Sequence, residues 1–184
     1  MNVSPKVLLV TPPFTQLNTP YPAMMYLKGF LNTKGVDSVQ VDLSLEVILE
    51  IFSSRGLHEL FQQVAAREIR LSGNARRIFA LQEEYERTID AVMAFLQGRN
   101  RTLAYSICES YSEPRASRFE QEEDTEWAFG VMGLEDKARY LSTLYLEDLS
   151  DFLQETVDEH FGFSRYAEHL GRSASSFDEL NAEL

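Results

Sequence analysis

Cysteine occurs once in the 184 residues, at Cys108, so the chain can form no internal disulfide and no multi-cysteine metal site. A lone thiol also fits a reducing compartment. Long apolar runs are missing: none approaches the roughly 18 residues that cross a bilayer, and no basic stretch with an apolar signal core opens the chain. A cytoplasmic protein without a membrane partner is therefore expected. Positive charge is scarce as well, with 17 Lys and Arg against 29 Asp and Glu and a net charge of -12. Without a basic stripe, such a surface repels nucleic acid. Neither G-x-G-x-x-G nor G-x-x-x-x-G-K-[ST] occurs, so no specific nucleotide signature is present.

What the chain does have changes character near residue 50. Residues 1–50 carry three positive and four negative charges (net -1), whereas residues 51–184 carry 14 and 25 (net -11). KVLLV at 6–10 reads as a strand buried on both faces, and SVQVDL at 38–43 reads as a second strand. Between them Ala23, Met24, Leu27, Phe30, Leu31 and Lys34 recur at helical spacing, with Pro22 suited to the first turn and Gly35 to the position past the end. This β-loop-α-β pattern predicts parallel neighbouring strands with a right-handed crossover.

From Ser44 the period becomes helical. Leu45, Ile48, Leu49 and Phe52 form one stripe, and Leu57, Leu60, Phe61 and Val64 another after Gly56. Ile78, Leu81, Tyr85, Ile89, Val92 and Leu96 predict one helix over 74–97, closed by Gly98. Leu141, Tyr145, Leu149, Phe152, Val157 and Phe161 predict another over 134–161, stopped by Gly162. Residues 110–126, with Pro114, serines and a run of acids, read as a mobile loop followed by an apolar anchor at Trp127, Phe129, Val131 and Met132. The segment SASSFDELNAEL starts a further helix capped by Ser175 or Ser176, which suggests a longer parent protein.

The prolines set the candidate site. Pro12 and Pro13 stiffen the exit from the first strand, and Pro20 and Pro22 do the same before the helix. The loop is thereby held over the carboxyl end of the sheet, where open parallel sheets bind ligands near helix N-termini. No acidic residue occurs from Thr11 to Asn32. Thr11, Thr15, Gln16, Asn18, Thr19 and Tyr21 offer neutral hydrogen-bonding groups to a polar or anionic ligand. The alternative is that the prolines only order a surface loop and Tyr21 staples the helix.

Other chemistry finds less support. His160 lies on an apolar stripe near a helix end, where an imidazole caps carbonyls. His58 and His169 fall on separate helices, outside any E-x-x-H pair. The acids at 120–126 lack the glycine and spacing of a calcium loop. Ser106 and Cys108 have no elbow motif or nearby histidine, and Tyr105, Ile107 and Cys108 read as core.

KVLLVTPPF, PYPAMMYLKGFLNTKG and SVQVDL, taken in order over residues 6–43, resemble the start of the cobalamin-binding domain of cobalamin-dependent radical S-adenosylmethionine proteins. That group includes relatives of the anaerobic magnesium-protoporphyrin monomethyl ester cyclase and is often labelled Fe-S oxidoreductase. Such domains share an apolar strand, an Asn-Pro-Pro-like loop, an aromatic-Pro-small helix start and a second strand ending in Asp-Leu; Thr11 here replaces the asparagine. EWAF at 126–129 and FSRYAEHL at 163–170 are similar to helical insertions in some members.

The resemblance implies an α/β fragment, predominantly α: a Rossmann-like β-α-β unit with two parallel strands over 1–50, then a helical insertion over 51–184. It implies that Thr11, Pro12, Pro13, Phe14, Tyr21 and Pro22 lie near cobalamin or the catalytic domain facing it. The 4Fe-4S cluster and S-adenosylmethionine would belong to a part not in this chain, because the C-x-x-x-C-x-x-C signature is absent. The cobalamin-ligating D-x-H-x-x-G is also incomplete: Asp158-Glu159-His160-Phe161-Gly162 is one residue short. The expected partners are the rest of the parent chain and a second copy paired through exposed strand edges. The competing expectation is an acidic helical protein-interaction module with a purely structural β-α-β unit.

Overall fold

The computed structural model describes residues 6–13, 22–67, 69–109, 114–119, 133–159 and 161–163. The chain divides into two compact units: Met1–Ile48 with Gly162–Leu184, and Leu49–Phe161. Among the described residues the fold is predominantly helical, with one two-stranded parallel sheet.

In the first unit, β1 (Val7–Thr11), α1 (Pro22–Thr33) and β2 (Ser38–Asp42) form the expected β-α-β arrangement. The strands pair in parallel from Val7 against Ser38 to Thr11 against Asp42. Pro22 is the first helical residue, where its missing N–H costs nothing. Gly35 closes the helix at φ +68°, and Val36 N–H returns to Leu31 O at 3.0 Å. That left-handed position is where glycine is favoured.

The expectation of a strand buried on both faces is overturned. Leu8 and Val39 are register partners on one sheet face and remain 61% and 53% exposed. Helix α1 buries none of its residues fully. Met24, Lys28 and Leu31 are half-buried, while Leu27 and Phe30 of the expected stripe are open. Two strands and one helix lack the surface to enclose aliphatic side chains from both sides.

The unit boundary falls within α2 (Leu43–Ile51). The second unit continues with α3 (Ser54–Ala66), α4 (Gly73–Ala80), α5 (Gln82–Leu96), α6 (Leu103–Cys108) and α7 (Leu134–Thr156). Leu57, Leu60, Phe61 and Val64 are all buried, as their spacing requires. Phe61 and Phe152 pack with ring centroids 5.3 Å apart, and Tyr85 and Tyr145 at 5.0 Å. Such aromatic pairs add roughly 1 kcal/mol each beyond their burial.

Capping explains where these helices start. Ser53 Oγ accepts from Gly56 N–H (3.0 Å), Asp90 Oδ1 from Ser54 N–H (2.9 Å), and Ser72 Oγ from Ala75 N–H (3.2 Å). A Cβ at Gly56 would stand 2.1 Å from Glu50 O and 2.6 Å from Ile51 O. Only glycine fits between the end of α2 and the first turn of α3.

Three helix expectations change. The single helix over 74–97 is broken at Leu81, whose N–H donates to both Arg77 O and Ile78 O. The two pieces pack differently, α4 against α7 and α5 mainly against α3, and the bend serves both. Helix α7 ends at Thr156, before the expected 161, and leaves Val157 exposed while Phe161 is buried beside Phe52. Tyr105 is exposed rather than core, because the short α6 turns Ala104 and Ile107 inward.

Candidate functional site

The carboxyl ends of β1 and β2 bring Thr11 and Asp42 together as register partners. Thr11 is buried, at 2% exposure, so its side chain is interior and does not line an open rim. Pro12 and Pro22 are exposed and Pro13 is half-buried. Phe14 and Tyr21, with Thr15, Gln16, Asn18, Thr19 and Pro20, lie outside the described residues. Asp42 adds a group that the loop reading missed: its Oδ1 accepts from Leu45 N–H at 3.1 Å in the first turn of α2. The signal was present in the sequence as an acid immediately before a helical stripe.

The described part of this rim has limited chemistry. Proline nitrogens donate nothing, the Thr11 side chain is interior, and one Asp42 oxygen is already engaged. Among the described residues no group of three or more His, Cys, Asp or Glu could hold a metal ion.

A second constellation lies in the helical unit. Asp148 on α7 is fully buried, with Oδ2 accepting from Ala116 N–H (3.0 Å) and Oδ1 from Arg118 N–H (3.2 Å). Both donors belong to 114–119, within the stretch expected to be a mobile loop. These six residues are docked: Ala116 and Phe119 are buried, and Arg118 clasps both oxygens of Asp151 at 2.8 Å. Ser117 N–H also donates to Asn74 Oδ1 at 3.2 Å. The rest of 110–126, and the anchor at Trp127, Phe129, Val131 and Met132, lie outside the described residues.

Burial pushes the Asp148 carboxyl up to about 6, while the Arg118 and Ala116 N–H donors pull it down and the Asp151 charge adds to the rise. A value near neutrality is a common mark of acid-base catalysts. Here each oxygen is occupied by a backbone donor and the group has no exposed surface, so the arrangement is a clamp. Tyr85, held well above the usual phenol range first by burial and then by the Asp148 charge, stays neutral. Tyr145 Oη donates to Tyr85 O at 3.1 Å and lies 2.9 Å from Thr88 Oγ1, which ties α7 to α5.

Two of the remaining candidates have partners within the helical unit. His58 bridges Glu86 at 3.1 Å and Gln62 at 3.0 Å on the surface of α3 and α5. Cys108 Sγ donates to Leu134 O at 3.4 Å. His160, His169 and the Ser175 or Ser176 cap lie outside the described residues. No helix among the described residues is long and apolar enough to cross a membrane. Comparison with known protein families, curated proteins and solved structures finds no match for the chain.

Proposed function

We propose that this chain is the N-terminal, cobalamin-binding-type part of a cobalamin-dependent radical S-adenosylmethionine enzyme and is not catalytic by itself. The observation that carries the reading is the uncovered parallel pair. Parallel strands are ordinarily buried on both faces, yet Leu8 and Val39 face outward on a sheet that has two strands among the described residues. Further strands and helices, supplied from outside the described residues, would cover them. The ordered resemblance over residues 6–43 names the kind of sheet.

The fit to cobalamin is partial. Pro12, Pro13 and Pro22 would supply one wall of a site at the strand ends, with Thr11 and Asp42 supporting it from below. Phe14 and Tyr21 join them on the resemblance alone. When bound in such an enzyme, cobalamin supplies the bond chemistry near a radical generated elsewhere, and the protein positions it. The cluster and S-adenosylmethionine would be held by the rest of the parent chain. Weak or absent cobalamin binding by the 184 residues themselves is expected where the remaining walls belong to the rest of the parent chain.

Cobalamin added to the longer parent protein at micromolar concentration should shift its visible spectrum, and the gene downstream should encode C-x-x-x-C-x-x-C. An unchanged spectrum together with no such signature would remove the reading.

One observation favours the alternative, an acidic helical interaction module. Residues 49–161 form their own core and carry 22 acidic against 12 basic residues. Salt-sensitive capture of a basic protein partner through this region, undisturbed by substitutions at Pro12 and Pro22, would support it.

A further inference from the structure

Helix α1 is apolar on more of its circumference than the sheet can cover. At about 100° per residue, Met24, Lys28 and Leu31 line one side and are half-buried, while Tyr26, Leu27 and Phe30 lie about 120° away. That second ridge is 78%, 47% and 58% exposed. Gly29 lies beside it with nothing within 4 Å of where a Cβ would stand, so another backbone can approach closely. A helix apolar on two faces is normally buried on both.

We propose that the ridge of Tyr26, Leu27 and Phe30 docks on the same ridge of a second copy of this chain, with the two α1 helices antiparallel. The proposal is independent of cobalamin and concerns this 184-residue chain. Charge along α1 and the two strands opposes a self-contact less than it does in the helical unit. Residues 6–13 and 22–48 carry Lys6, Lys28 and Lys34 against Asp37, Asp42 and Glu46, so two such faces meet without net repulsion. Residues 49–161, with their acidic excess, repel a second copy. Beside the ridge stands Lys34, whose Nζ is 5.5 Å from the centre of the Phe30 ring.

An isologous contact centred near Lys28 sets Tyr26 of each copy against Phe30 of the other and closes at two copies. The exposed apolar surface of Tyr26, Leu27 and Phe30 amounts to roughly 300 Å² per copy, under half of what a stable interface buries. The dimer is therefore weak, with dissociation in the range of tens of micromolar.

Sedimentation equilibrium of the full chain, from about 5 to about 200 µM, tests this. The mass should rise from 21.1 kDa toward twice that value. Tyr26→Lys and Phe30→Glu, both at exposed positions, should each weaken association at least tenfold. An equimolar mixture of the two variants should recover it, since the ammonium introduced at position 26 of one copy then faces the carboxylate introduced at position 30 of the other. A wild-type chain that stays monomeric at the highest concentration overturns the proposal, because the ridge is then open or covered by the chain itself. Dimers that survive both substitutions, or a mixture that fails to recover, overturn it too. Neither result bears on the cobalamin titration of the longer protein.

Discussion

Asp148 occupies a position where helical spacing asks for an apolar side chain: Leu141, Tyr145 and Phe152 share its stripe on α7 and all are buried. An acid at such a place was a readable sign of a buried partner, although the partner itself, the backbone of 114–119, was not. Removing the carboxylate leaves one buried and one part-buried N–H group, those of Ala116 and Arg118, without this partner. Asp148→Ala should cost about 2–4 kcal/mol of stability and raise amide exchange at Ala116 and Arg118. Unchanged protection at those amides would show that packing alone holds the segment.

The same residue sets a pH dependence. Its folded value is raised from 3.8 to about 6, so the folded chain holds the proton more tightly than the unfolded chain. The cost of the buried charge is then present above pH 6, amounts to about 3 kcal/mol, and fades as pH falls through the folded value toward 3.8. Relative to Asp148→Asn, the wild type should gain roughly 1 kcal/mol between pH 7 and pH 5. The comparison cancels the common effect of a falling net charge. Denaturation midpoints that move in parallel for the two proteins would contradict the assignment.

Among the elements, helix ends were the most legible features because their causes are local. Gly35 and Gly98 adopt positive φ where the spacing placed the helix ends, and Ser53 and Ser72 cap by contacts within a few residues. Gly56 shows the opposite case. Its need for glycine arises from the carbonyls of Glu50 and Ile51, brought close by the turn between two helices. Gly56→Ala should destabilise the helical unit by about 2 kcal/mol or more, read as a lowered midpoint in thermal unfolding. The break at Leu81 was illegible because neither proline nor glycine marks it; it exists because α4 and α5 pack on different partners.

The β-α-β elements should also be the least protected among those described. Their strand bonds are shielded by few buried side chains, whereas α3, α5 and α7 enclose a continuous core. Amide exchange in β1 and β2 should run at least tenfold faster than at the centres of α5 and α7 in the monomer. Equal protection would mean that the small sheet is covered more fully than its exposed Leu8 and Val39 indicate.

For the whole molecule, hydrophobic period and charge distribution were enough to specify a parallel β-α-β start followed by acidic helices. Those properties arise from neighbours along the chain, where strand alternation, helical spacing and turn residues act over a few positions. Which surfaces are closed was decided only in three dimensions. Tertiary structure left one face of the sheet and a second ridge of α1 open, buried Thr11 at the expected rim, and drew 114–119 onto Asp148. Burial depends on how many elements converge at a place, and no single stretch of residues encodes that number.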